Sequence, residues 1–406
     1  MSILKKLFLL SIFIMIVLSG NLLAQEPQVN NIFTSILNVQ KYERSIHIMA
    51  MLILGFGFLM VFVRKYGRSA LTATFLLVSI ALPVYFLVSN FGLFGWSGVN
   101  IEKLILAEFA AASLLITAGA VLGRLKMPQY LLLGVLFVVA YMFNEWVVIN
   151  GGLGIVAKGG FADTGGSIVI HAFGAIFGVS AAIFLTTKKQ MDAPVDTDAT
   201  SDRYSMLGSM VLWVFWPSFC SALVPPELIP MTIINVIFAL CGSTLATYLI
   251  SVIIRKKISI ADIANASLAG GVAIGSTCDH ANPFSAIIIG ILAGTVSTIG
   301  FSLLQSRLQK GLKLVDTCGV SNLHGMPGLL GGLAAIFVVH GLNVTAQISG
   351  IVTTIIIAIA TGLVTGKALS LLGSVAVPYD DAVEFLDVEA EPQVQFDYNR
   401  VPERVN

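Results

Sequence analysis

Apolar runs of about 20 residues recur along the chain, and each is long enough to cross a bilayer core of about 30 Å as a helix. They predict eleven spans, at roughly 46–63, 69–90, 103–123, 128–149, 163–187, 204–223, 229–254, 259–277, 283–306, 322–341 and 346–373. The polar connections are short except for 188–203, and from Pro378 onward the chain turns acidic and aperiodic. Ahead of the spans, Lys5 and Lys6, an apolar run from Leu7 to Leu18, and Ala24 before Gln25 have the layout of a secretory signal. Leu22 fits the small-residue rule poorly, and an uncleaved first helix is the alternative reading. The polar stretch from Gln25 to Arg44 then reads as an exposed, external start. The expected organisation is a signal peptide at 1–24, a membrane domain at 25–377 and a cytoplasmic acidic tail at 378–406.

Basic residues alternate between the two sets of connections. One set carries Arg64, Lys65 and Arg68; Arg124 and Lys126; Lys188, Lys189 and Arg203; Arg255, Lys256 and Lys257; and Arg307, Lys310 and Lys313. The other set holds only Lys103 and Lys158. The positive-inside rule then predicts an external N-terminus and a cytoplasmic C-terminus.

Composition agrees with this reading. The 406 residues are 56% hydrophobic and 11% charged, with mean hydropathy +0.91, which excludes an ordinary soluble protein. A net charge of +1 gives no sign of a nucleic-acid partner. Cys220, Cys241, Cys278 and Cys318 have neither metal-ligand spacing nor the look of a disulfide framework.

One pattern occurs twice. Asp163-Thr164-Gly165-Gly166 is followed after four residues by His171, and Asp316-Thr317-Cys318-Gly319 in the same way by His324, in a chain with only 5 His. The copies open the fifth and tenth spans. A repeat of five spans is odd, so the second half is inverted relative to the first. If helical throughout, the eight residues from Asp to His rise about 12 Å, bringing both His from opposite faces to the neighbourhood of the midplane. Each Asp would sit at a helix N-terminus, where it caps free N–H groups, and is read as a structural anchor rather than a transport group. Intramembrane histidines are functional by default, and here two arrive by symmetry. His47, His280 and His340 lie near span ends or in loops and carry no assigned role.

At these residues the chain resembles the ammonium transporter/Rhesus (Amt/Rh) family, within it the Rh branch of bacterial type. The matching stretches are Asp163 through Gly174, Asp316 through Val320 with Asn322 through Gly328, Trp216-Pro217-Ser218-Phe219, Asn265 through Gly271 and Asn144-Glu145. The resemblance implies an all-α fold of eleven transmembrane helices, an inverted 5+5 repeat plus one final helix, assembled as a homotrimer with one pore per subunit. It implies a multi-pass protein of a bacterial inner membrane, surrounded by lipid, that takes ammonia or ammonium as substrate. By motif position His171 and His324 become a twin-His pair in an apolar pore. Phe109 and Phe219 become two stacked rings above it, and Glu145 an acidic residue of the outer vestibule. Ser321 departs from the pattern, since many Rh proteins carry a second His there, which leaves any inner-mouth role at that position without support.

The chemistry of the pore is read from its residue types. Moving an ammonium-sized cation into low dielectric has an idealised cost of order 20 kcal/mol, and no acidic ring or carbonyl filter is visible to offset it. Neutral ammonia costs only a few kcal/mol, which hydrogen bonds can meet. Two neutral imidazoles, each with one donor and one acceptor nitrogen, could form a relay. The expected function is therefore recruitment of ammonium, proton loss near the Phe gate and passage of ammonia, with electrogenic ammonium transport or carbon dioxide conduction as alternatives. A membrane metalloenzyme lacks the ligand spacing it would need. A sensor or scaffold would carry a folded output domain, which the tail is too short to be. The reading is thus a channel rather than an enzyme, with no cofactor and no metal.

Overall fold

The computed structural model describes residues 32–95, 100–193, 195, 197–373, 375 and 380–386; the expected signal peptide and most of the expected tail lie outside them. The described residues are helical, with no strand. Among the described residues, eleven main helical rods follow in chain order. Eight are long and apolar enough to cross a membrane: α1 (Thr34–Phe62), α2 (Arg64–Asn90), α3 (Ile101–Val121), α4 (Met127–Val148), α5 (Ser167–Leu185), α7 (Ile229–Arg255), α9 (Pro283–Leu312) and α11 (Val344–Leu371). Three fall short of that by composition or length. They are α6 (Ala199–Cys220), with a polar first turn; α8, the short apolar rod Ile260–Ile274; and α10, formed by Ser321–Gly325 and Met326–Val338.

The first helix differs from expectation. Residues from Ile32 onward are already helical, so the part of the polar stretch from Ile32 to Arg44 belongs to the first helix, and His47 lies well inside α1. Length explains the difference, because α1 extends about four turns beyond its apolar core. The polar 188–203 connection also contains a short helix, Lys188–Asp192, capped by Thr187.

Glycines let the rods approach closely, as in other membrane bundles. A Cβ at Gly290 or Gly294 would stand 2.0 or 2.5 Å from the carbonyl oxygens of Ala239 or Ser243 on α7. At Gly362 and Gly366 the corresponding contacts with α5 carbonyls are 2.5 and 2.4 Å.

The two halves interlock at the duplicated motif. The N–H of Cys318 donates to Gly119 at the end of α3 (3.1 Å), and the N–H of Gly165 donates to Gly275 just past α8 (2.7 Å). Each motif therefore bonds to the third rod of the opposite half, as an inverted repeat requires.

Candidate functional site

Asp163 and Asp316 both cap the helix that carries their histidine. Asp163 accepts from the backbone N–H groups of Ile168 (3.0 Å) and Val169 (2.8 Å) and from the Ser276 hydroxyl. Asp316 accepts from Val320 N–H and Ser321 N–H, both at 2.9 Å, and from the Ser321 hydroxyl at 2.8 Å. Ser321, the position that departs from the family pattern, thus holds the motif carboxylate. Thr317 is fixed in turn by buried Arg124, whose guanidinium donates to the Thr317 hydroxyl oxygen and to the Leu122 carbonyl.

The Asp-to-His segments are not continuous helix. Gly166 (φ 73°) and Gly319 (φ 64°) adopt the left-handed conformation, which glycine takes without steric cost. The chain turns there and α5 starts only at Ser167. A 12 Å rise along one helix axis therefore does not apply; the motif turns also carry the chain toward the pair. Both histidines then lie in π-turns, Ser167–Ala172 and Ser321–Gly325, a widened geometry frequent at functional sites. A third π-turn, Met51–Phe56, brings Phe56 to His324 with ring centroids 6.2 Å apart.

The two histidines meet. Their Nδ1 atoms are 3.2 Å apart and the ring planes lie within 9° of each other. The centroids are 5.3 Å apart, much farther than the nitrogens, so the rings touch edge to edge. Both are buried. A neutral pair in this contact needs complementary tautomers, one Nδ1 carrying hydrogen and the other its lone pair. The His171 Nε2 is buried and has no hydrogen-bond partner among the described residues.

Rings continue the line on either side. Phe109 and Phe219 are 4.6 Å apart and tilted by 46° rather than stacked in parallel, and both are buried. Phe219 lies 6.2 Å from His171, and Trp216 covers His171 at 5.6 Å. Pro217, inside α6, belongs to the turn that carries Trp216 and Phe219. Beyond His324 a small cavity is lined by Phe56, Leu115, Gly119, Asn265 and Cys318.

Glu145 is only 4% exposed, and its carboxylate accepts from the Tyr85 hydroxyl at 2.8 Å. Beside it, Trp146 packs with Phe94 and Phe143 at ring distances of 5.8 and 6.1 Å. All four cysteines are free thiols. His280 stands near Asp279, at 3.8 Å.

Several participants were not read from the sequence. Trp216 lies within a quoted motif, and Phe56 carries no local signal. Glu108 was the available one, since a carboxylate inside a span is functional by default. It is fully buried on α3, and the Ser45 hydroxyl donates to it at 2.6 Å. His47 Nδ1 lies 2.9 Å from the Ser218 hydroxyl.

Comparison with known proteins agrees with this architecture. The Ammonium Transporter Family matches residues 5–390. Ammonium transporter Rh type B from Oryctolagus cuniculus is 41% identical over 294 residues, covering 70% of this chain. The Homo sapiens protein of the same name is 40% identical over 299 residues, covering 71%. The chain spans 62% and 64% of the length of these two relatives. Among solved structures, Nitrosomonas europaea Rh50 is similar at a TM-score of 0.85 and 50% identity, covering 88% of this chain and 94% of that one. That structure is described together with a mechanism of conduction by the Rhesus protein family of channels. A Sensor Amt Protein shares the fold at a TM-score of 0.71 and 20% identity, with 83% and 93% of the two chains covered. The chain belongs to the ammonium transporter family and, within it, to the Rh branch.

Proposed function

We propose that this protein is a membrane channel that recruits ammonium and conducts ammonia. The observation that carries the reading is the edge-to-edge contact of His171 and His324, buried at the meeting of two inverted halves. An ion has little to replace its hydration there, whereas ammonia needs only hydrogen bonds, and the unpartnered His171 Nε2 offers one. The names of the Rh relatives and of Rh50 point the same way.

In this reading Phe109 and Phe219 form a gate through which the permeant passes after losing its proton. Glu145 attracts cations at the outer side, while Asp163 and Asp316 anchor the two motif helices. The chain assembles as a homotrimer with one pore per subunit, eleven spans and an inverted 5+5 repeat. Its N-terminus is external and its C-terminus cytoplasmic, in a bacterial inner membrane.

The test is flux into proteoliposomes under voltage control. Uptake should follow the ammonia gradient, rise with pH at fixed total ammonium, and be indifferent to membrane potential. A charged permeant would instead gain about 2.3 kcal/mol per 100 mV across the full field. An ammonium-evoked current absent from protein-free bilayers would move the protein to the electrogenic class.

A further inference from the structure

The residues immediately before the two gate rings are both held by α1. Glu108 precedes Phe109, and its Oε1 accepts from the Ser45 hydroxyl at 2.6 Å. Ser218 precedes Phe219, and its hydroxyl meets His47 Nδ1 at 2.9 Å. Ser45 and His47 are two positions apart, which on a helix places them on opposite flanks. The helix is accordingly wedged between α3 and α6, touching one with each flank. The His47 ring also stacks on Phe215 at 4.9 Å, a further tie to α6.

These bonds lie where position matters. Ser45 and Glu108 are buried, at 2% and 0% exposure, so neither can trade its partner for water. Glu108 Oε2 has no partner, leaving the bond from Ser45 as the only one that orients the carboxyl among the described residues. Phe109 and Phe219 sit on different rods with ring centroids 4.6 Å apart. A single element that ties both rods beside both rings sets their separation.

We propose that α1 is the brace of the aromatic gate, with Ser45–Glu108 and His47–Ser218 acting as positioning pairs that set its aperture and hence the largest amine admitted. The proposal rests on the gate reading above. Glu108 and His47 are positioning residues, acting through Phe109 and Phe219.

The test compares methylamine with ammonia uptake by the full chain in proteoliposomes, read with an internal pH dye. Glu108→Ala and His47→Ala should each raise the methylamine-to-ammonia ratio about fivefold, the factor that one lost hydrogen bond supplies. Glu108→Gln retains the acceptor oxygen and His47→Asn supplies an amide near the Nδ1 position; both should hold the wild-type ratio. Equal ratios in wild type and both alanine variants overturn the brace. A second readout needs no transport: 4-fluorophenylalanine at position 109 or 219, followed by fluorine NMR. Glu108→Ala should shift the signal at 109, and His47→Ala the signal at 219. Unchanged spectra overturn the brace even if the protein proves to carry no ammonia, a result that would sink only the functional reading.

Discussion

The hydroxyl of Tyr85 on α2 donates to the carboxylate of Glu145 on α4, at 2.8 Å and under cover. On the proposed vestibule role of Glu145, the bond separates two properties that its carboxylate combines, namely charge and shape. Glu145→Gln keeps an acceptor for Tyr85 and removes the charge. Melting temperature should be nearly unchanged, while uptake at low ammonium concentration falls and recovers at high concentration. Tyr85→Phe does the reverse, leaving a buried carboxylate without its donor, and should lower stability by about 1–3 kcal/mol. Thermal melts and concentration-dependent uptake on the same preparations separate the two effects.

On the proposed function, removing either member of the histidine pair deletes one hydrogen-bonding station on the ammonia path. His171→Ala or His324→Ala should raise the barrier by about 1–2 kcal/mol, a roughly five- to thirtyfold loss of ammonia flux. The fold, and the proposed trimer with it, should survive, because the motif helices are held by Asp163 and Asp316 rather than by the imidazoles. Stopped-flow uptake with parallel size-exclusion profiles checks both statements. Wild-type flux in both variants would contradict the conduction path.

Asp163→Ala acts on stability first. It strands the N–H groups of Ile168 and Val169 and the Ser276 hydroxyl, and should cost about 2 kcal/mol or more. Gly166→Ala strains the same turn differently, since a non-glycine residue at φ 73° costs roughly 1–2 kcal/mol and its Cβ would meet the Ile170 side chain. Differential melts of the two variants should fall in that order. A fully stable Asp163→Ala protein that does not transport would reverse the assignment of Asp163 as an anchor.

The pH response of the described segment after α11 follows from Asp381. Its carboxylate accepts from Arg68 N–H (2.8 Å) and Ser69 N–H (3.0 Å), capping α2 from the far end of the chain. Burial raises its pKa above the ordinary carboxylate value, against the opposing pull of those N–H groups. A raised folded-state pKa means a contribution present at low pH and lost as pH climbs through the folded value. Docking of 380–386 should therefore tighten on acidification. Asp198 has the opposite sign, because the Ser201 N–H is the main influence holding its pKa down; its contribution is present near neutrality and lost as pH falls through the lowered value. Hydrogen-exchange protection at residues 380–386 should rise between neutral and mildly acidic pH, whereas protection at 199–203 should hold there and fall only once the pH drops below the ordinary carboxylate range; Asp381→Asn should abolish the first response.

What could be read from the sequence was whatever repeats or runs. The apolar runs gave the rods, and the repeat of Asp163 with His171 in Asp316 with His324 pointed to the two imidazoles whose Nδ1 atoms lie 3.2 Å apart in the fold. Start points were less legible. α1 begins before its apolar run because early turns can be polar where they face other rods, as Lys41 does in pairing with Glu102. Partnerships between single polar residues were not legible at all. Ser45 and Glu108 are 63 positions apart, and His47 and Ser218 are 171 apart, with no periodicity linking either pair. Arg124 shows the same limit: it counts as a loop charge in the orientation rule, yet in the fold it is buried against the second motif.

The exchange of bonds between the halves also has a consequence in time. Asp163 waits for Ser276, which is 113 residues downstream, and His171 waits for His324, which is 153 downstream. At roughly 5–20 residues per second of synthesis, the first motif spends several seconds or more in existence without the groups that complete it. During that interval a carboxylate and an imidazole destined for burial have only lipid, water or the insertion machinery as company. The second motif has no such wait, because α3, which receives Thr317 and Cys318, is made long before them. Structurally the two halves are counterparts; during biogenesis the first must be sheltered, and the second arrives into a finished seat.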